Sequence, residues 1–257
     1  MNAYIQVNPG YYERRWVTYL DLLGFAELVR TEDWVNIFSK YAPIIERYTR
    51  EDLIAEPTIE QAWFSDTFLL YSSDDTILSF TAIDRRTRAF VEFLVSKGIP
   101  VRGAISCDDL YADKQNNIFF GKALLEAYHY GENQNWIGLI LAPSSVEQLA
   151  TIGFPAERQS AYAFWNIPYK RLDKRLFRRL VPGCIQRRLG MRGLDRNFAR
   201  TLPACILGGS TLGCNTCLDE LHKMKTRFEG TPHITKYENT ISFIEWIIDK
   251  TVYHSFL

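Results

Sequence analysis

The order of strand-like and helix-like runs between residues 16 and 167 constrains this chain more than any other feature. Strand-like runs rich in β-branched and aromatic residues occur at 16–20, 58–64, 67–72, 101–106, 136–141 and 161–167. A further return strand is expected to start at Leu110–Tyr111, before a polar loop at Asp113–Asn117. Helix-like runs lie at 22–29, 33–50, 76–97, 121–130 and 144–152. The order is therefore β-α-α-β-β-α-β-β-α-β-α-β. The two runs that meet at Ser65-Asp66 have room only for a tight hairpin, which excludes an all-parallel sheet. The expected class is α+β: a mixed, mainly antiparallel sheet with helices on one face, as in ferredoxin-like folds. At 257 residues and 47% apolar, the chain can bury a full core.

Local signals place the element ends. Thr31 is a plausible N-cap for the helix from Asp33 to about Arg50, with Trp34, Phe38, Tyr41, Ile45 and Tyr48 on one stripe. Pro43 lies inside that run, and a kink or break near Tyr41 is expected. Asp74 or Asp75 can cap the helix from Thr76 to Lys97, which Gly98 and Pro100 would stop. Ser144 or Ser145 can cap the next.

Beyond Lys170 the character changes. Residues 170–200 hold eleven Lys or Arg against Asp173 and Asp195 alone. The basic run is either the solvated face of a long amphipathic arm, the preferred reading, or a surface for phosphate, nucleic acid or a partner. Residues 236–250 give a helix with Tyr237, Ile241, Phe243, Ile244, Ile247 and Ile248. The expected division is a domain at 1–170 and a basic, mainly helical extension at 171–257.

A formal net charge of zero gives no reason to expect a nucleic-acid or membrane partner. No apolar run reaches spanning length, and the residues after Met1 lack a signal-peptide core. Five cysteines, odd in number and unevenly spaced, read as reduced thiols in a cytoplasmic protein. Cys214 and Cys217, with Cys205 and His222 nearby, have zinc-ligand spacing but lack a second CxxC, so ordinary thiols are preferred.

Asp21 ends the first strand and Asp66 sits at the hairpin tip. If those elements are neighbours, the carboxylates converge, which is costly unless a cation lies between them. Divalent ions on such a pair can activate an attacking oxygen and stabilise a phosphate leaving group. Each residue also has an ordinary reading, Asp21 as a helix N-cap and Asp66 as a turn residue. Gly24, just after Asp21, allows close approach of backbone to ligand.

These segments together resemble the class III nucleotide cyclases. Tyr19-Leu20-Asp21-Leu22-Leu23-Gly24-Phe25 is similar to their first metal motif, and Phe64-Ser65-Asp66-Thr67 to their second. Val101-Arg102-Gly103-Ala104-Ile105-Ser106 resembles their Arg-Val-Gly-Ile strand, and the run from Phe119 to Tyr128 their Trp-Gly…Asn…Arg helix. With Ile167-Pro168-Tyr169-Lys170, the pattern is most similar to the pyrimidine cyclases of the Pycsar anti-phage systems, over roughly 16–170.

The resemblance implies roles. Asp21, Asp66 and the Leu22 carbonyl would hold two Mn²⁺ or Mg²⁺ ions. Amides of Leu23, Gly24 and Phe25, with Lys170, would hold the triphosphate of UTP or CTP. The partner would be a second copy, in a homodimer with shared sites, and the cyclic product would act on a downstream effector in antiviral defence. Purine enzymes place a Lys where this chain has Ala62 and an Asp where it has Ile118. Both polar readers are therefore apolar, which leaves a purine edge unpaired. Phe64 or Trp63 could stack on a base or be strand aromatics. The family's transition-state Asn and Arg fall on Leu125 and His129. Arg102 is the replacement cation expected for developing phosphoryl charge, or else an ion-pair partner. The rival readings are a catalytically silent binding module and a purine cyclase with altered base readers.

Overall fold

The computed structural model describes residues 12–49, 59–156, 160–170, 201–208 and 211–254. The strands are β1 (Tyr12–Leu22), β2 (Ile59–Phe64), β3 (Thr67–Ser72), β4 (Val101–Asp113), β5 (Ile118–Phe120), β6 (Gly138–Leu141), β7 (Tyr162–Asn166) and β8 (Thr201–Cys205). The helices are α1 (Phe25–Thr31), α2 (Trp34–Thr49), α3 (Ile77–Ser96), α4 (Lys122–Asn133), α5 (Pro143–Thr151), α6 (Thr211–Thr226) and α7 (Ile234–His254). Sheet order is β2-β3-β1-β4-β6-β8-β7, with β5 on β4. Only β4 and β6 run parallel among these pairs. The mixed, mainly antiparallel α+β class expected from the sequence is what the chain forms.

Strand alternation sends Trp16 and Leu20 to one face of the sheet and Val17 and Tyr19 to the other. The first face forms one core with Phe68, Leu70, Ile83, Phe90, Leu94, Leu149 and Leu221. The second face has its own smaller core, in which Leu69, Tyr71 and Leu110 meet Ala123 and Ala127 of α4. Helices therefore lie on both faces, not on one. Close packing here needs two glycines. On α4, a Cβ on Gly131 would sit 2.7 Å from the Tyr19 ring and 3.5 Å from the Gly103 Cα, while one on Gly103 would meet the neighbouring strand β1, 2.3 Å from the Tyr19 carbonyl oxygen.

Several local expectations are corrected. β4 does not turn back at Leu110, because Leu110 and Tyr111 pair with Glu13 and Tyr12 of a β1 that starts earlier than residue 16. The return is made after residue 117, by β5. Thr31 does not cap α2. Its hydroxyl donates to the Glu27 carbonyl, and Asp33 accepts from the amides of Val35 and Asn36. Pro43 does not break α2, which runs through it from Trp34 to Thr49. It and Ser39, whose carbonyl loses a helical partner to it, are both exposed, which keeps the cost of the missing bond low. Trp34 and Phe38 of the expected stripe point outward, while Tyr41 and Ile44 face the core. Thr76 caps α3, backed by Asp74, which accepts from the Thr76 amide and the Ser79 hydroxyl.

β8 was not expected. It enters between β6 and β7, with Tyr162 opposite Cys205 and Ile140 opposite Ala204. Chain beyond residue 170 thus completes the sheet that the earlier residues begin. α7 bears out its periodicity: Tyr237, Ile241, Phe243, Ile244 and Ile247 are buried, and Phe243 packs edge-on against Trp136 at 5.3 Å. Each such burial stabilises by about 1.5–3 kcal/mol. The basic run 171–200 lies outside the described residues, as do Tyr48's side chain and residues 1–11. Among the described residues, no helix is long and apolar enough to cross a membrane.

Candidate active site

β1 lies between β3 and β4, so the end of β1 has the hairpin tip on one side and the start of β4 on the other. Asp21 is opposite Thr67 of β3 and opposite Arg102 of β4. The Leu22 amide donates to the Asp66 carbonyl at 2.9 Å, which fixes the tip beside the end of β1. Ser65 makes the turn with φ 57°. The two aspartates are thereby held at one corner of the sheet, and their charges repel: Asp66 is one cause of a raised Asp21 pKa.

Asp21 is 7% exposed and Arg102 5%. Arg102 donates Nε to Asp21 Oδ2 at 2.9 Å, and its Nη2 lies 2.7 Å from the same oxygen as an ion pair. The same Nη2 reaches Glu132 Oε2 at 2.7 Å, and Nη1 reaches the Gln134 carbonyl at 3.2 Å. Tyr19 donates its hydroxyl to Glu132 Oε1 at 3.2 Å. Burial pushes the Asp21 carboxyl up to about 6, against Arg102, while Glu132 and Asp66 add to the rise.

Lys170 is brought to the same corner. Its amide donates to the Asn133 carbonyl at 2.8 Å, and Gln134 bridges to Tyr169. Partial burial, then the charge of Arg102, lowers the Lys170 ammonium pKa, while Glu132 and Asp21 oppose the shift. Asp21, Asp66, Arg102 and Lys170 therefore converge.

The loop after Asp21 differs from expectation in one respect. The Leu23 amide, expected to meet phosphate, donates to the Pro100 carbonyl at 2.8 Å. Gly24 follows with φ 82°, a left-handed conformation that favours glycine. Phe25 opens α1, but its ring packs edge-on against Tyr41 at 5.3 Å and so belongs to the core.

Ala62 and Phe64 line a groove of about 1220 Å³ on the face that carries Tyr19. Thr67, Leu69, Leu125 and Tyr128 complete much of its wall. Phe64 is 83% exposed. Trp63 also borders the groove, but it stacks on Phe68 at 4.7 Å and donates Nε1 to the Ser65 carbonyl. Ile118 stands in β5, half-buried. Leu125 is exposed, whereas His129 is buried and its Nδ1 lies 3.2 Å from the Asn133 amide nitrogen.

The donor set at the corner fits hard divalent cations, because it offers carboxylate and carbonyl oxygens only. The hydrogen bond and the ion-pair contact of Arg102 both fall on Oδ2 of Asp21, so Oδ1 is not used by that pair. Among the described residues, no three His, Cys, Asp or Glu side chains group to hold a metal. Two aspartates would therefore share any ion with substrate oxygens. On α6, the Cys214 thiol donates to the Leu207 carbonyl, and burial pushes the Cys217 thiol up to about 11. These are buried, protonated thiols.

Sequence reasoning missed Glu132, Gln134 and Tyr19. The polar run Glu132-Asn133-Gln134, set between an amphipathic helix and an apolar strand, was a visible signal for the first two. Tyr19 reads as an ordinary strand aromatic.

No family profile matches the chain, and no curated protein is found by sequence. Solved structures with some likeness include the adenylyl cyclase CyaB from P. aeruginosa, at 10% identity and TM-score 0.41 over 55% of this chain and 82% of that one. The catalytic core of a rhodopsin-guanylyl cyclase with converted specificity, in complex with ATPαS, gives 10% and 0.43 over 63% and 89%. A bacterial light-regulated adenylyl cyclase gives 11% and 0.44 over 60% and 83%.

Proposed function

We propose that this chain is a pyrimidine nucleotide cyclase, which converts UTP or CTP to the 3′,5′-cyclic monophosphate and diphosphate. The observation that carries the reading is the corner itself: Asp21 and Asp66 held side by side on adjoining strands, with Arg102 and Lys170 directed to the same place. Two carboxylates backed by two cations suit a phosphoryl transfer, in which most of the catalysis is positioning and charge neutralisation. Asp21 Oδ1, Asp66 and the Leu22 carbonyl would hold Mn²⁺ or Mg²⁺. Bound there, the ions would acidify the ribose 3′-OH and offset phosphate charge.

The chain's own residues supply the rest. Arg102 and Lys170 draw the triphosphate in and oppose charge that builds as diphosphate leaves. Gly24 lets backbone approach the phosphates, with the Gly24 and Phe25 amides as donors. Phe64 offers a ring face to the base. Ala62 and Ile118 offer no polar partner to a purine edge, which disfavours ATP and GTP. The large groove, rimmed by exposed Phe64, Phe120, Leu125 and Tyr128, suits a second copy of the chain that would close the base side. The cyclic product would serve as a messenger to an effector in antiviral defence.

One observation favours a second reading. The buried guanidinium of Arg102 already neutralises Asp21, as it would in a silent nucleotide-binding module. The test is product identification by mass spectrometry after incubation with each of the four NTPs and Mn²⁺. Cyclic UMP or CMP, lost in Asp66→Asn, is expected. Cyclic AMP as sole product refutes the pyrimidine assignment, and no cyclic product at all favours the silent module.

A further inference from the structure

We propose that Lys236, on the C-terminal helix α7, is a triphosphate-binding residue of the same site, so that chain beyond residue 200 completes the nucleotide pocket. The inference rests on the cyclase reading only for the identity of the nucleotide, not for the presence of an anion site.

The segment 133–137 is the hub. Arg102 Nη1 donates to the Gln134 carbonyl, and the Lys170 amide donates to the Asn133 carbonyl. The Asn135 amide donates to the Pro168 carbonyl at 2.6 Å. α7 grips the next residues of the same segment. Asn239 Nδ2 donates to the Asn135 carbonyl at 2.8 Å. The Ile137 amide donates to Thr240 Oγ1 at 2.8 Å, and that hydroxyl donates to the Ile137 carbonyl at 3.0 Å. Lys236 is one helical turn before Asn239 and Thr240, on the face those two residues define. The hub therefore delivers three cations, from β4, from the segment after β7 and from α7, to one place.

The electrostatics agree. Lys236 is half-buried, and after that burial the causes that lower its ammonium pKa are the charges of Arg102 and Lys170; Asp21 and Glu132 oppose them. Among the described residues, neither Lys236 nor Lys170 has a carboxylate within ion-pair distance. Arg102, Lys170 and Lys236 stand with Asp21, Glu132 and Asp66, and Arg102 already bonds the first two of these carboxylates, so neither lysine has one of them at contact distance. Two ammonium groups held near a guanidinium, with no carboxylate at contact, repel one another, and a polyanion that reaches both relieves the repulsion. A triphosphate spans several ångströms and can meet lysines that arrive from different elements. A lysine ammonium serves as a point charge with three donors, which suits a chain of phosphate oxygens.

The experiment is calorimetric titration of the full chain, without metal, with inorganic tripolyphosphate, UTP and UMP, for wild type, Lys236→Gln, Lys236→Arg and the remote control Lys223→Gln. The account expects Lys236→Gln to weaken tripolyphosphate and UTP at least about tenfold, which corresponds to 1.4 kcal/mol. It expects Lys236→Arg to keep most of the affinity, and UMP binding and the melting temperature to stay as in wild type. Unchanged tripolyphosphate and UTP affinity in Lys236→Gln overturns the proposal, as does equal weakening in Lys223→Gln. A protein that makes no cyclic nucleotide but shows the Lys236-dependent binding refutes the cyclase reading and keeps this one. A protein that cyclises UTP or CTP with binding indifferent to Lys236 does the reverse.

Discussion

Replacing Arg102 by Met should destabilise the protein strongly, and in a way that depends on pH through one identified group. Arg102 is the cation for two carboxylates: it binds Asp21 Oδ2 at 2.9 and 2.7 Å and Glu132 at 2.7 Å. Removal leaves Asp21, 7% exposed, with no direct cationic partner. Breaking a buried pair from one side costs about 3–5 kcal/mol, a large share of the roughly 5–15 kcal/mol that holds a domain folded. The sign of the pH dependence follows from the raised carboxyl. Asp21 titrates near 6 in the folded wild type, above its unfolded value of 3.8. Its contribution to stability is thus fully present below about 4 and is lost as pH rises through 6. Without Arg102, which holds that value down, the folded pKa climbs further. The penalty is therefore largest at pH 8 and shrinks as Asp21 takes up a proton toward pH 5. Urea unfolding followed by tryptophan fluorescence at pH 8 and pH 5 measures both numbers. Adding Asp21→Asn to the variant should recover at least half of the loss at pH 8. A loss equal at both pH values, and unrelieved by Asp21→Asn, would refute the reasoning.

Two further outcomes follow from groups outside that pair. Burial pushes the Glu126 carboxyl up to about 7, against hydrogen bonds from Ser144, so its favourable contribution is present below 4.5 and lost as pH rises through 7; Glu126→Gln should stabilise by ~1–3 kcal/mol at pH 8 and by little at pH 4.5, read by thermal unfolding across that range. Phe64 is 83% exposed beside the apolar groove, so Phe64→Glu should shift the chain from dimer to monomer in light scattering while its melting temperature changes by a few degrees at most; a wild type that is monomeric at high micromolar concentration would contradict the groove's assignment to a second copy.

The parts of the fold legible in the sequence were those set by short-range pattern. The hairpin around Ser65-Asp66 needed only two β-prone runs and a two-residue turn. α7 needed only the spacing of Tyr237, Ile241 and Ile244. What was not legible depended on partners distant in the chain. Leu110 and Tyr111 continue β4 because Glu13 and Tyr12 are there to pair with them, and no local signal records that. β8, Thr201–Cys205, contains Pro203 and is only five residues long, so it reads as loop until β7 supplies a neighbour.

The same division runs through the site. Asp21, Asp66 and Arg102 stand at strand ends that a motif can mark. Leu23 failed as a phosphate donor because its amide meets Pro100, seventy-seven residues away in sequence. Glu132 comes to the corner at the end of α4, where the polar run Glu132-Asn133-Gln134 is its one local signal, and the sequence around Lys236 carries no catalytic pattern.

The central claim is that Asp21 and Asp66 jointly hold divalent ions, and electron paramagnetic resonance of Mn²⁺ tests it most directly. Titration of Mn²⁺ into the purified full chain with UTP or CTP present should show bound, broadened signal in the wild type, and loss of most of it in both Asp21→Asn and Asp66→Asn. Bound Mn²⁺ that persists unchanged in Asp66→Asn, or a wild type that leaves all of the ion free, would contradict the account.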